Sequence, residues 1–221
     1  MCGRATLTAP ADVVRDLFEV SVPELLPRYN LAPTQDVLIV RAGRDGPRRE
    51  TGIVRWGLVP PWAKDARVGA RYINARAESV FEKSPFKEPL KRRRCLVIFD
   101  GFYEWRREGT RKTPFYVRMK TGAPFGCAGL WETWRTPEGQ RLESCTVLTT
   151  RANGLIGTLH DRMPSILKPD EHDAWLDPAR EEPDLGPVLR PYPDGEMEMW
   201  QVSSKVNRWQ NDEPSCIAPI V

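Results

Sequence analysis

The sequence predicts an α+β fold rich in β-strands, with curved, barrel-like sheets and short flanking helices. Segments of β-branched and aromatic residues recur at short spacing, and turns that contain glycine or proline separate them, which is typical of such sheets. Apolar residues at helical spacing indicate a short helix near the N-terminus. The predicted strands cover residues 36–40, 52–59, 95–105, 113–119, 125–131 and 144–150, with a last strand at 200–203.

The length and composition favour one domain over residues 1–221. A chain of 221 residues can bury a substantial core, and no internal repeat, low-complexity tract or clear linker divides it. No apolar run approaches the roughly 20 residues that a membrane span needs. Charged residues at positions 4, 12, 15 and 16 interrupt any signal-peptide pattern. We therefore expect a cytoplasmic, monomeric protein without a membrane partner, associated with the nucleoid if the source is bacterial.

Two segments carry the predicted helices. Residues 10–20 place Val13, Val14, Leu17 and Phe18 at helical spacing, with Thr8 as a candidate cap. Residues 169–177 read as a surface helix, in which His172 is expected to be structural. The following stretch, 178–198, is rich in Pro, Asp and Glu and predicts an acidic surface loop.

Turn residues mark the connections. Asp45-Gly46, within 43–46, predicts a hairpin turn between the first two strands. Two prolines and a glycine make residues 56–62 a rigid loop that begins and ends with tryptophan. Residues 72–79 read as a loop that enters a helix. An exposed Trp62 beside nucleobases would stack on them, although a tryptophan next to prolines fills a core equally often.

Cysteine and histidine usage argues against metal and disulfide chemistry. The five cysteines are an odd number and contain no Cys-x-x-Cys pair, and the chain has two histidines. We expect no metal site and no cofactor.

The charge is distributed unevenly along the chain. Residues 1–120 contain 24 Lys and Arg against 14 Asp and Glu, whereas residues 121–221 contain 9 against 16. The resulting balance of +10 and −7 predicts a basic face for a polyanion, with an ordinary mixed surface as the alternative. The basic run at 91–94 is expected to be a solvated part of the positive half.

The N-terminal stretch Met1-Cys2-Gly3-Arg4 has reactive chemistry. Removal of Met1 would leave Cys2 with a free α-amine and a thiol, both partly nucleophilic near neutral pH. An aldehyde can condense with the amine to an imine, and the thiol can then close a five-membered thiazolidine. The simpler alternative is that Cys2 is an early residue without a chemical role.

Two further side chains have the chemistry of proton transfer. Glu104 lies between aromatic residues in a predicted strand, where desolvation would suit a general acid or base. The alternative is a strand-edge glutamate that points to water. His160 stands beside an aspartate and an arginine in a loop closed by proline, and imidazole transfers protons near neutral pH. Asn74 and Arg76 together could hold a phosphate or carboxylate.

Six ordered motifs resemble the SOS-response-associated peptidase (SRAP) family over nearly the whole chain. The resemblance implies a single domain of curved mixed β-sheets with short helices and a basic DNA channel. It implies a sensor that forms a covalent, reversible crosslink with abasic sites in single-stranded DNA and shields the lesion during replication, with the replication machinery as a candidate partner. The motifs are Met1–Arg4, Tyr29–Pro33, Trp56–Trp62, Ile73–Glu78, Gly101–Trp105 and Leu159–Pro164.

The resemblance also implies a role for each site residue. Cys2 is the nucleophile, Asn74 orients it and the sugar, Glu104 is the acid/base, and His160 assists ring opening and reversal of the crosslink. A weak lyase activity would compete with ring closure. The implied DNA-binding residues are Gly3, Arg4, Pro33, Trp62, Arg76, Trp105, Thr149 and Arg162.

Two other functions remain open at this level. An N-terminal cysteine near an asparagine and a histidine also suits an N-terminal-nucleophile amidohydrolase or self-processing peptidase. A non-covalent reader of single-stranded or modified DNA would use the basic half and Trp62 alone. The covalent sensor and the non-covalent reader should both bind DNA in a salt-sensitive way, whereas only the covalent sensor requires an aldehyde.

Overall fold

The computed structural model describes residues 3–43, 48–136, 138–180 and 185–220. Cys2 and most of the predicted turn at 43–46 lie outside the described residues. Within them, thirteen strands occur: β1 (Ala5–Leu7), β2 (Arg28–Leu31), β3 (Asp36–Ala42), β4 (Arg49–Trp56), β5 (Asn74–Arg76), β6 (Arg94–Phe99), β7 (Gly101–Glu108), β8 (Arg111–Met119), β9 (Phe125–Arg135), β10 (Arg141–Arg151), β11 (Arg162–Pro164), β12 (Ile166–Leu167) and β13 (Met197–Gln201).

Short helices fill the connections. The α-helices are α1 (Ala11–Phe18), α2 (Ser84–Arg92) and α3 (His172–Leu176). The 3₁₀ turns are Ala66–Arg71, Ala77–Ser79, Ile156–Thr158, Pro169–Glu171, Gly186–Val188, Asp194–Glu196, Ser204–Asn207 and Pro214–Cys216. None of the helices in the described ranges is long and apolar enough to cross a membrane.

Five strands close into a barrel. The order runs β10-β4-β3-β6-β9, and β9 pairs back with β10. The β4–β10 pair is parallel and the other four pairs are antiparallel, so the barrel is mixed. Strands β5 and β11 extend the sheet from β10, and β12 extends it from β9. Together with the short helices, this confirms the predicted fold class.

A second, antiparallel sheet lies beside the barrel with the order β13-β8-β7-β1-β2. The longest pairing in it is the hairpin of β7 and β8, in which Glu104 lies opposite Phe115. Strand β1 pairs with β7 on one side and β2 on the other. Strand β1 is thus held inside this sheet, between β2 and β7.

The basic run before β6 is only partly solvated. Lys91 and Arg92 are exposed, as expected, but Arg94 is buried at 4% exposure. Its guanidinium donates to backbone carbonyls that end two helices, Leu90 of α2 and Trp175 of α3, each at 2.6 Å. The expectation of a solvated face is therefore wrong for Arg94, because α3 covers β6 at this point.

Helix α1 is shorter than predicted and has a different cap. Val14 and Phe18 are buried, whereas Val13 is exposed. Pro10 occupies the N-cap without a side-chain hydrogen bond. Thr8 does not cap the helix, because its hydroxyl donates to Asp100 Oδ2 at 2.7 Å.

Other sequence-predicted boundaries shift by a few residues. The strand predicted at 52–59 is β4, which ends at the fully buried Trp56. The last strand lies earlier than predicted, at β13. Residues 72–79 form the short β5 and a 3₁₀ turn rather than a loop and helix. The helical residue His172 is 2% exposed, so that part of the segment is not at the surface.

Candidate active site

Two predicted catalytic residues meet in one open cavity of about 440 Å³. The cavity lies between the β7–β8 hairpin, the loop after β10 and the C-terminal segment. Its lining residues are Glu104, Trp105, Arg107, Lys112, His160 and Asn207. Asn74 is not among them.

Glu104 is held inside the protein at the wall of this cavity. It is 2% exposed and lies in β7 between Tyr103 and Trp105, whose ring centroids are 6.5 Å apart. A strand-edge glutamate that points to water is therefore ruled out. A buried carboxyl beside an open cavity is suited to exchange a proton with a bound molecule.

His160 lies close to two neighbouring residues of its loop. The loop is set by the preceding 3₁₀ turn, where the His160 backbone N–H donates to Ile156 at 3.0 Å. Its Nδ1 accepts a hydrogen bond from the Arg162 backbone N–H at 3.0 Å and lies 2.8 Å from Asp161 Oδ1. The ring is therefore held by neighbouring residues of its own loop.

The N-terminal end of strand β1 is directed toward this cavity. Ala5 lies opposite Phe102 and Thr6 opposite Gly101, and the Tyr103 N–H donates to the Arg4 carbonyl at 3.0 Å. The pairing is antiparallel, so the chain before Ala5 advances along β7 in the direction of Glu104. Gly3, described at the beginning of this path, is half-buried.

Arg4 ties the N-terminal strand to the C-terminal segment. Its Nη1 donates to Asn30 Oδ1 at 2.7 Å and to the Val206 carbonyl at 2.5 Å, and its Nη2 donates to the Asn207 carbonyl at 3.1 Å. Desolvation by burial lowers the pKa of the Arg4 guanidinium. The Asn207 side chain in turn accepts from Trp105 Nε1 at 2.8 Å.

Asn30 is a structural residue of the site that sequence reasoning did not single out. It is fully buried, and its Nδ2 donates to the carbonyls of Val206, Arg208 and Asn211 at 2.8 to 3.1 Å. Buried polar groups require partners, but those of Asn30 lie in a distant part of the chain, so the sequence offers no local signal for this role. Asn207 was likewise not singled out. It lies in the C-terminal segment whose carbonyls accept from Asn30.

A second group of predicted residues lies on neighbouring strands of the barrel sheet. Asn74 pairs with Val147, and Arg76 pairs with Thr149 across β5 and β10. Thr149 is buried, and its hydroxyl donates to the Ala75 carbonyl at 3.3 Å. Arg76 is exposed, so its charge is accessible to a ligand.

Arg162 is engaged by protein groups. Its guanidinium forms a bidentate pair with Glu78, with distances of 2.7 and 2.8 Å, and also donates to the Thr149 carbonyl. The hydrogen bonds from Arg162 lower the pKa of the Glu78 carboxyl. This pair joins β11 to the turn after β5.

The two tryptophans of the proline loop have different environments. Trp56 is fully buried and donates through Nε1 to the Ile73 carbonyl at 2.9 Å. Trp62 is 60% exposed and is free to contact a ligand. Pro33 is half-buried and precedes Thr34, whose N–H donates to the Trp56 carbonyl at 2.7 Å.

The described cysteines are poor nucleophiles. Cys95, Cys127, Cys145 and Cys216 are all free and buried. Desolvation raises the pKa of the Cys95 and Cys145 thiols, which keeps them protonated. In the described ranges, no cluster of three or more His, Cys, Asp or Glu side chains could hold a metal ion.

Comparison with known proteins identifies a family match over most of the chain. Residues 1–209 match the family described as SOS response associated peptidase (SRAP). The abasic site processing protein YoqW of Bacillus subtilis is 44% identical over 98% of this chain and 99% of its own length. The abasic site processing protein HMCES of Gallus gallus is 32% identical over 88% of this chain and 66% of its own length.

Solved structures share the fold. A protein from Bacteroides thetaiotaomicron has a TM-score of 0.87 at 24% identity, and the alignment covers all of both chains. A protein from Bordetella bronchiseptica has a TM-score of 0.80 at 25% identity over 91% of this chain and all of that one.

Proposed function

Because the chain belongs to the SOS response associated peptidase (SRAP) family, we propose that it processes abasic sites by forming a covalent thiazolidine crosslink with them in single-stranded DNA. Its relatives are named abasic site processing proteins. The crosslink would shield the lesion during replication, with the replication machinery as a further partner.

The path of the N-terminal strand is the observation that carries the proposal. The register of β1 on β7 directs the chain before Arg4 toward Glu104. Two residues of chain span at most about 7 Å, so we infer that Cys2 would reach the cavity that Glu104 and His160 line. Both nucleophiles of Cys2 can therefore meet an aldehyde bound there.

The proposed reaction begins when the deoxyribose ring opens to expose an aldehyde at C1′. The Cys2 α-amine adds to this carbon, and the carbinolamine loses water to give an imine. The Cys2 sulfur then bonds to the same carbon, its proton leaves, and the ring nitrogen gains a proton. One water is released overall, and no oxidant or reductant is needed.

Glu104 and His160 would supply the proton transfers. Glu104 donates to the leaving hydroxyl in the dehydration step and accepts a proton as the ring closes. His160 would assist ring opening and, with Glu104, the reversal of the crosslink, because both residues line the same cavity. Asn74 would orient the nucleophile and the sugar.

The imine is also the branch point for a weak lyase activity. Elimination of the 3′ phosphate from this intermediate would compete with ring closure. The thiol makes closure intramolecular, which favours the thiazolidine.

DNA would be held by exposed and pocket residues together. The exposed Trp62 stacks on a base, which is typically worth about 1–3 kcal/mol. Arg76 offers an accessible charge to a phosphate. We also propose contacts by Gly3, Arg4 and Arg162, with Pro33, Trp105 and Thr149 lining the pocket.

A denaturing gel tests the covalent reaction. Purified protein is mixed with single-stranded DNA that contains one abasic site, and an intact oligonucleotide is run beside it. We expect a shifted band that survives boiling with the wild type and none with Cys2→Ala. Cys2→Ser should give only an imine that must be trapped by reduction. Mass spectrometry establishes that Met1 has been removed.

The same preparation tests the amidohydrolase alternative. If Met1 is absent and no boil-resistant band forms, covalent capture is wrong. Turnover of a peptide or amide without DNA would then support N-terminal-nucleophile hydrolysis.

A further inference from the structure

We propose that Arg107 and Lys112 form a subsite for one backbone phosphate of the DNA strand, adjacent to the lesion rather than at it. The inference deepens the proposed function and rests on it. Neither residue belongs to the motifs that identify the family site. Both line the cavity that contains Glu104 and His160.

The hairpin register places the two cations side by side. Arg107 and Lys112 are direct cross-strand partners in β7 and β8, so their side chains leave the sheet on the same face. Trp105 lies two residues before Arg107 and shares that face. Both charged side chains are exposed at the cavity rim.

The two cations of this pair face each other and have no ion-pair partner among the described residues. Like charges directly opposite each other destabilise a β-hairpin. The next pair toward the turn is Glu108 opposite Arg111, which are of opposite sign. Over the described ranges, no ion pair joins Arg107 or Lys112 to a carboxylate. A bound anion between the two side chains would remove the repulsion.

The backbone spacing from Glu104 indicates which phosphate would be held. A strand rises about 3.3 Å per residue, so the backbone of Arg107 lies roughly 10 Å along β7 from that of Glu104, and both residues line the same cavity. The sugar at Glu104 would therefore be the abasic one, and the phosphate at the cation pair would belong to a flanking nucleotide. Arginine contributes a two-pronged donor and lysine a point charge to such a group.

Reversible binding tests the subsite without any covalent step. The probe is fluorescent single-stranded DNA with a central tetrahydrofuran residue, an abasic analogue that lacks the aldehyde. We expect the double variant Arg107→Ala/Lys112→Ala to bind about tenfold more weakly. The slope of log K against log salt should fall by about 0.7, the value for one phosphate on a single strand.

A matched control removes one lysine and one arginine elsewhere. Lys87→Ala/Arg92→Ala changes the net charge equally on the exposed side of α2, which does not line the cavity. It should retain the wild-type affinity to within about twofold. The melting temperature of the Arg107→Ala/Lys112→Ala protein should be unchanged or raised, because a repulsive pair is removed.

A neutral methylphosphonate, moved one linkage at a time through the probe, locates the phosphate. At one flanking linkage, neutralisation should weaken wild-type binding about tenfold and should not weaken the double variant further. Equal losses for both proteins at every linkage would overturn the subsite, as would wild-type affinity in the double variant or a wild type that does not bind the probe.

The gel assay for covalent capture is run in parallel on the aldehyde-bearing DNA. If the wild type forms no crosslink but the double variant still binds the probe about tenfold more weakly, the covalent reaction alone is refuted. If the wild type crosslinks normally but the double variant binds the probe as tightly as the wild type, the subsite alone is refuted.

Discussion

At the scale of single residues, the observed contacts of Arg4 differ from the role that the resemblance implies. The resemblance implies phosphate binding, and that role stays a prediction. The observed hydrogen bonds instead join β1 to Asn30 and to the carbonyls of Val206 and Asn207. A guanidinium with three protein acceptors positions the chain that leads to Cys2.

Replacement of Arg4 by lysine distinguishes these roles. Lysine keeps the charge but lacks the planar fork needed to bond all three acceptors. We expect the crosslinking rate at saturating DNA to fall about tenfold, because small displacements of a nucleophile are costly, while DNA affinity changes little. Single-turnover gels and anisotropy measure the two quantities. Arg76→Lys is the control variant. Because the Arg76 side chain is exposed, this substitution should lower DNA affinity more than the crosslinking rate. A loss of affinity without a loss of rate in Arg4→Lys would assign Arg4 to phosphate binding.

The sequence was informative for residues whose chemistry is local and uninformative for those that act through distant carbonyls. Glu104 and His160 were selected by their own neighbours, and the structure brings both to one cavity. Arg94 was expected at the surface because it belongs to the basic run 91–94, yet two helix ends converge on it. Asn30 has three carbonyl acceptors more than 170 positions away in the chain. Such long-range contacts leave no local pattern.

At the scale of secondary-structure elements, Asp100 fixes the junction of β1, α1, β6 and β7. It is 5% exposed and stands between β6 and β7. One carboxylate oxygen accepts from the Thr6 hydroxyl at 2.5 Å, and the other accepts from the Thr8 backbone and hydroxyl and from the Ala9 N–H at 2.5 to 2.8 Å. The chain between β1 and α1 therefore turns around one buried carboxylate.

Asp100→Asn should destabilise the protein by about 3 kcal/mol. The amide group would present a donor to hydrogen-bond donors and would lose the charge that strengthens these bonds. Urea denaturation followed by tryptophan fluorescence measures the change. Asp16→Asn, at a side chain that is 75% exposed in α1, should alter stability by no more than about 0.5 kcal/mol. An equally small effect at Asp100 would contradict the anchoring role.

At the scale of the whole molecule, the barrel-like fold class was predictable but the strand pairing that closes the barrel was not. Alternating and continuous apolar runs mark strands wherever one or both faces are buried, as in β6, all of whose residues are buried. Closure depends on the parallel pairing of β4 with β10, in which Arg55 lies opposite Ser144. A pairing between segments so far apart in the chain is set by tertiary packing. The local spacing of apolar residues does not predict it.

Global stability should depend on pH through His172, which lies outside the proposed reaction. Its ring is 2% exposed and stacks on Phe18 with centroids 5.4 Å apart. Burial, reinforced by the charge of Arg49, lowers the pKa of His172 to about 4 from its usual 6.5. Between these values the unfolded chain binds a proton that the folded protein does not, so stability falls as pH drops from about 6.5 to 4.

The expected loss over this interval is about 3 kcal/mol, since each pKa unit corresponds to about 1.4 kcal/mol. His172→Phe preserves the stacked ring and removes the titration. The difference in unfolding free energy between wild type and variant, measured by urea denaturation from pH 4 to 8, should be constant above about pH 7. Below that pH it should shift steadily in favour of the variant. Parallel curves throughout would show that His172 is protonated equally in the folded and unfolded states, because only a pKa difference between the two states produces a pH-dependent term.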